Sequence, residues 1–264
     1  ELKFSDIINE QQINLDIVKP GDVVALIGDF NASSISTLLR LIDLKTIIVP
    51  LTIDTKNMHK YFFESALVDV VIKDGKTKYL NHNNTHKLIE NLRQKSHAGL
   101  ILFSTGTTGR PKAILHDMTL FLERFQTPRP TLKIINFLLF DHIGGINTLL
   151  HTIFNRGVVV APIDRNVDSI LKTCAKYKVE VLPTTPTFLR LMLLSGSVPS
   201  KIPNCLKIIT YGTERMDQST LDALCKLLPN IDFRQTYGMS ELGIVRVKSK
   251  ARNSLYMKIG GEGV

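Results

Sequence analysis

The sequence predicts an α/β protein built on layered, mostly parallel sheets with helices on both faces. Two observations carry this. Short β-branched apolar runs recur along the chain, and between most of them lie segments of helical length with apolar residues at helical spacing. Val23-Val24-Ala25-Leu26-Ile27 opens the series as a strand after the turn pair Gly21-Asp22. Ile35, Leu38, Leu39 and Ile42 then recur at i, i+3, i+4 and i+7, one face of a helix that Asn31 can cap. Thr46 to Val49 reads as the next strand, stopped by Pro50, and Val68 to Ile72 as another. Residues 74–96 are polar, with Asn-His-Asn-Asn at 81–84, and read as a surface excursion and domain boundary. A second series follows, with strands near 99–103, 133–140, 157–161, 179–182, 206–210 and 231–236. Helical segments are expected at 117–126, 145–155, 167–177, 186–195 and 217–228. The expected organisation is therefore a first α/β portion over 1–95 and a second over 96–264.

Composition bounds the function. The chain has 264 residues, 44% of them hydrophobic, which is too apolar for disorder, and no apolar run is long enough to span a membrane. Cys174, Cys205 and Cys225 are scattered and odd in number, so they read as reduced thiols of a cytoplasmic protein. The start has no basic and apolar leader and no initiator Met, so a piece of a longer protein is expected. A net charge of +9 raises the question of nucleic acid. The cations are spread in ones and twos and there is no Trp, which argues against a nucleic-acid groove. The charge suits small anions such as nucleotides equally well.

In open parallel sheets ligands sit beyond the carboxyl ends of strands, so chemistry is sought after each apolar run. After Gly99-Leu100-Ile101-Leu102-Phe103 comes Ser104-Thr105-Gly106-Thr107-Thr108-Gly109-Arg110-Pro111-Lys112. Glycines let backbone N–H groups turn toward an anion, hydroxyls add donors, and Lys112 supplies a charge-assisted contact of about 1.5–3 kcal/mol. The glycine spacing differs from that of the common nucleotide loop G-x-x-x-x-G-K-[ST].

This segment closely resembles the signature of the adenylate-forming superfamily, which includes acyl-CoA synthetases, aryl-acid ligases, luciferases and peptide-synthetase adenylation domains. The resemblance implies that the loop holds the β- and γ-phosphates of ATP while a carboxylate attacks the α-phosphorus. Ala113 stands where the family usually has glycine.

Two later segments extend the resemblance. Thr236-Tyr237-Gly238-Met239-Ser240-Glu241 is similar to the family's Tyr-Gly-x-Thr-Glu. There Tyr237 and Gly238 would meet adenine, Ser240 the α-phosphate and Glu241 a magnesium ion, which needs few protein carboxylates beside phosphate oxygens. Tyr211-Gly212-Thr213-Glu214 resembles the segment whose backbone lines adenine, with Tyr211 where glycine is common.

Phe140-Asp141-His142-Ile143-Gly144-Gly145 admits two alignments. Family ligases show Phe-His-x-x-Gly, matched by His142 and Gly145. Peptide-synthetase domains show Phe-Asp, matched by Phe140-Asp141, the Asp gripping an α-amino group. Gly145 falls in step with His142, and an aspartate in an apolar pocket is costly without a cation. This favours His142 over the acid, with Asp141 pointing away. The remaining histidines show no ligand spacing, and His82 and His86 read as surface residues.

The family's ribose-binding Asp and the Lys of its small C-terminal lid are not in this sequence. The resemblance thus implies most of the large domain of an ATP-dependent acid–thiol ligase, with Lys112, His142 and Glu241 catalytic. ATP and Mg2+ are the implied cofactors, and coenzyme A or phosphopantetheine the acceptor. A carboxylic acid and an acyl carrier protein are the implied partners, with no nucleic acid and no membrane. An amino-acid adenylation domain, or a nucleotide-binding module without turnover, is the alternative.

Overall fold

The computed structural model describes residue 7 and residues 13–80, 85–104, 109–129 and 131–260. Its chain divides into two compact units, one of Leu2–Pro128 with Leu139–Ile146, the other of Arg129–Leu138 with Asn147–Val264.

The first unit begins with β1 (Val23–Ile27), α1 (Ala32–Asp43) and β2 (Ile47–Leu51). A 3-10 turn (Ile53–Met58) leads to α2 (His59–Ala66), β3 (Val70–Lys73) and β4 (Lys76–Tyr79). Then come α3 (Lys87–Lys95), β5 (Gly99–Ser104), β6 (Lys112–Asp117) and α4 (Met118–Glu123). The sheet order is β4-β3-β1-β2-β5-β6, parallel in the middle and antiparallel at both edges. β1 and β2 are buried along almost their whole length, as continuous apolar strands of a sheet covered on both faces must be. Asn31 caps α1 as expected, its side chain accepting from Ser34 N at 2.8 Å.

Three expectations need correction here. Pro50 does not stop the second strand: β2 runs on to Leu51, with Pro50 in register with Leu26. Gly28 N donates to Leu51 O, so residue 51 faces β1 and residue 50 faces the β5 side. Pairing with β5 ends at Ile48, so no N–H is needed at 50. The polar stretch 74–96 is not an excursion either, because it contains β4 and α3. β4 is a charged edge strand turned back at Asp74-Gly75, and α3 buries Ile89 and Leu92. His86 accepts from Leu88 N at the start of that helix; residues 81–84 lie outside the described residues. A boundary at 95/96 therefore falls inside one sheet, and the division into units comes at Pro128–Arg129.

The second unit contains β7 (Ile134–Ile135), β8 (Val159–Val160), α6 (Val167–Tyr177) and β9 (Val181–Thr184), preceded at β8 by α5 (Ile143–Phe154), inside which the division falls. α7 (Pro186–Leu194), β10 (Ile208–Tyr211), α8 (Gln218–Leu227) and β11 (Asp232–Gln235) complete a parallel sheet in the order β11-β10-β9-β7-β8. Three helices start on side-chain caps: Asn166 on Ser169 N, Thr185 on Phe188 N ahead of Pro186, and Asp217 on Thr220 N. Their inward residues, among them Ile170, Cys174, Phe188 and Leu221, form one core with Leu182, Ile209, Tyr211 and Phe233. Burial pushes the Cys174 thiol up to about 12, and all three cysteines are free.

The strand expected at 133–140 shrinks to two residues. Phe137 N bonds back to Ile135 O at 3.0 Å, turning the chain out of the sheet at Asn136, and Arg165 Nε holds Phe137 O at 2.9 Å. Beyond β11 two short hairpins follow, β12 (Tyr237–Met239) with β13 (Gly243–Val245) and β14 (Val247–Ser249) with β15 (Met257–Ile259). Among the described residues no helix is long and apolar enough to cross a membrane.

Candidate nucleotide and acid sites

In the first unit, β5 and β6 form an antiparallel pair that places Ser104 directly across from Lys112. Ser104 and Lys112 are thus the last pair of this two-stranded ladder, and the hydroxyl-rich segment joins them in the sequence. Thr105, Gly106, Thr107 and Thr108 lie outside the described residues. Gly109 has φ +88°, a left-handed conformation that favours glycine, with open space around it. The far limb is tied down: Tyr61 Oη donates to Pro111 O at 2.7 Å, and the Arg110 guanidinium lies 6.0 Å from the Tyr61 ring centroid. Lys112 is exposed and has no ion pair among the described residues, so its ammonium is open to an anion. Ala113 is an exposed strand residue in register with Phe103, and a methyl there meets no obstacle from the hairpin geometry.

The Asp141-His142 pair also belongs to the first unit. Thr52 Oγ1 donates to Asp141 Oδ2 at 3.2 Å, just past the carboxyl end of β2. His59 Nε2 meets Thr52 O at 2.9 Å. The start of α2 therefore reaches both segments, through His59 to Thr52 and through Tyr61 to the phosphate hairpin. The His142 side chain is 52% exposed, whereas that of Asp141 is only 13% exposed. Gly144 and Gly145 lie in the first turn of α5, and Ile146 N bonds to His142 O at 3.1 Å.

In the second unit the two expected adenine segments are brought together. β10 and β11 are parallel neighbours, with Tyr211 opposite Gln235. Thr236 N and Oγ1 both donate to Tyr211 O, at 2.8 and 3.1 Å. Thr213 takes a left-handed conformation at φ +69°. The Glu214 carboxylate accepts from Thr187 N at 3.1 Å and from the Thr187 hydroxyl, at the start of α7. Its side chain is engaged there, which leaves its backbone for any ligand. Tyr237 and Gly238 form a strand of the tight β12–β13 hairpin. Gly238 is packed against Ile244, where a Cβ would stand 2.7 Å from Ile244 Cδ1. Ser240 and Glu241 lie in the connection of that hairpin, and Glu241 is exposed with no ion pair among the described residues.

The carboxyl ends of this sheet carry polar groups that sequence reasoning missed. Thr184 Oγ1 and Gln235 Oε1, on either side of Tyr211, are buried with no hydrogen bond among the described residues, as are both amide atoms of Asn136 beyond β7. Buried polar atoms are ordinarily satisfied, so this edge is suited to a hydrogen-bonding ligand. Among the described residues no group of three or more His, Cys, Asp or Glu could hold a metal ion. A single open carboxylate such as Glu241 fits magnesium, which is ordinarily bound by one or two carboxylates together with phosphate oxygens and water.

The AMP-binding enzyme family matches residues 18–260, and the chain belongs to it. It is 26% identical over 173 residues to 4-coumarate–CoA ligase 4 of Arabidopsis thaliana, covering 61% of this chain and 30% of that protein. It is 28% identical over 159 residues to nonribosomal peptide synthetase 4 of Gibberella zeae, covering 58% of this chain and 2% of that protein. The N-terminal subdomain of Klebsiella oxytoca NpsA, solved with 3-hydroxybenzoyl-AMSN, shares the fold. The TM-score is 0.71 at 14% identity, over 93% of this chain and 64% of that one. The chain spans about a third of the length of the curated ligases it matches.

Proposed function

We propose that this chain is the nucleotide-binding part of a ligase that activates a carboxylic acid with ATP. The reaction forms an acyl-adenylate and pyrophosphate, then passes the acyl group to a thiol of coenzyme A or of a carrier-protein pantetheine. The observation that carries this reading is the Ser104–Lys112 base of the β5–β6 hairpin. There an exposed Lys112, with no ion pair among the described residues, is paired across the strands with Ser104. The two stand at the ends of a segment whose sequence is rich in hydroxyls and glycine.

Two anions, the acid's carboxylate and the α-phosphate, must approach one another, and preorganised cations offset their repulsion. Lys112 and the loop from Ser104 to Gly109 hold the β- and γ-phosphates. Tyr237, Gly238 and the backbone of Gly212 to Glu214 take the adenine, and Ser240 takes the α-phosphate. Glu241 would hold Mg2+, which when bound neutralises phosphate charge. His142 lies over the acid, whose tail is uncharged. Calorimetric titration tests the assignment of the hairpin: Lys112→Ala weakens ATP by about tenfold or more and AMP far less. Equal losses for the two nucleotides would contradict it.

A further inference from the structure

The two oxygens of Asp141 are in different circumstances. Oδ2 accepts from Thr52 Oγ1 at 3.2 Å, whereas Oδ1 is buried and makes no hydrogen bond among the described residues. Leaving a carboxylate oxygen out of water without a donor is unfavourable. A donor stands close by: His142 Nε2 is 3.8 Å from Oδ1, about 1 Å beyond a charge-assisted hydrogen bond.

The backbone is not free to close that gap. His142 N bonds to Leu139 O at 3.2 Å, and His142 O accepts from Ile146 N as α5 begins. Asp141 is anchored by Thr52, which follows directly on β2. Thr52 is fixed in turn, because its carbonyl receives Thr55 Oγ1 at 3.0 Å and meets His59 Nε2, the other titratable group of this network. What can move is the half-exposed imidazole of His142.

We propose that Asp141 is a positioning residue for His142. Its Oδ1 takes the Nε2–H, orients the ring and favours the imidazolium, so that Nδ1–H is presented to the carboxylate of the acid. Thr52 is the anchor that holds Asp141 for this task from 89 residues away in the chain. The inference rests on the reading of His142 as the group that lies over the acid. It also accounts for a buried carboxylate at the acid site without an ammonium on the substrate.

The test is 15N-edited NMR of the histidine-labelled 264-residue chain, with the His142 signals assigned by their loss in His142→Gln. Asp141→Asn should change the tautomer balance of His142 and shift its Nε2 and Nδ1 signals. Thr52→Val keeps the charge, removes the anchor and should move both readouts part of the way. Unchanged signals from histidines outside this network, such as His97 and His151, show that each variant is folded. Identical His142 ring signals in wild type and in Asp141→Asn would overturn the proposal. So would a variant that leaves His142 unmoved yet abolishes a response to α-amino acids, since Asp141 would then serve an ammonium. Addition of benzoyl-sulfamoyl adenosine separates the two claims. A His142 that responds to Asp141→Asn but not to this acyl-adenylate mimic supports the pair and contradicts the placement of His142 over the acid.

Discussion

Gly212 lies so close to Thr236 that a Cβ built on it would stand 2.2 Å from Thr236 Oγ1 and 2.9 Å from Thr236 O. The same threonine donates twice to Tyr211 O. The ends of β10 and β11 are thus joined at a point where the chain has no room for a side chain. Gly212→Ala should force Thr236 away, costing about 1–3 kcal/mol in overpacking. It should weaken nucleotide binding more than tenfold, because both segments proposed to take the adenine leave from this join. Adding Thr236→Gly should restore part of each, as it removes the nearest clashing atom. Thermal unfolding and ATP titration of the three variants check it, and a Gly212→Ala chain that is stable and binds normally would refute it.

Glu241→Gln should leave the fold intact, because the carboxylate is exposed and makes no ion pair among the described residues. Its effect should fall on the metal: most of the magnesium dependence of ATP binding is lost. Calorimetry with and without Mg2+ reads this directly. A variant with wild-type dependence would assign the ion to another carboxylate.

Arg252 closes the carboxyl end of α8. Its guanidinium donates to Cys225 O at 3.1 Å, Leu228 O at 2.7 Å and Pro229 O at 2.6 Å. Charge-assisted bonds to the last carbonyls of a helix also oppose its dipole. Arg252→Ala should therefore destabilise the chain by about 2–3 kcal/mol. Arg252→Lys should recover less than half of this, because an ammonium cannot reproduce the planar fork. Urea unfolding midpoints provide the measurement, and full recovery by lysine would show that charge alone matters.

The hydroxyl of Ser219, the N–H and hydroxyl of Thr220 and the Arg190 guanidinium hold the Asp217 carboxyl well below the usual carboxylate range. A group whose folded pKa is depressed stabilises the fold above its unfolded value, near 4. That stabilisation is lost as pH falls through the lower folded value. Stability should consequently drop between pH 5 and 2, and Asp217→Asn, which keeps the cap but not the titration, should flatten that drop. Urea midpoints across this range decide it, and parallel curves for the two proteins would exclude Asp217 as a source.

The helices of this fold are legible in the sequence because their signals are local. Asn31, Asn166, Asp217 and the pair Thr185-Pro186 mark starts within one turn, and the apolar spacing that follows marks the buried face. α2 and α3 were hidden because each gives only two buried residues to the core, Phe62 and Ala66 from α2, Ile89 and Leu92 among the nine mostly polar residues of α3. The hairpins after Gln235 have strands of three residues, too short for periodicity, and their pairing is not written in any one segment. The division into units was equally unreadable, since residues 139–146 return to the first unit across a stretch with no change in composition.

The site divides in the same way. Residue types in their order drew attention to Ser104 and Lys112, and the family resemblance to His142 and Glu241. Thr52, which anchors Asp141 beside His142, and Tyr61, which ties Pro111 beside Lys112, come from distant segments and carry no motif. Thr184, Gln235 and Asn136 are singled out by burial without a partner, a property of the folded chain.

The central claim is that this chain serves the ATP-dependent activation of a carboxylic acid. ATP–pyrophosphate exchange tests it most directly, measured on the protein in its full natural length against a panel of fatty, aryl and amino acids. The expected result is exchange that depends on an uncharged-tail fatty or aryl acid and falls at least about a hundredfold in Lys112→Ala. Exchange with no acid of the panel, from a protein that still binds ATP, would contradict it.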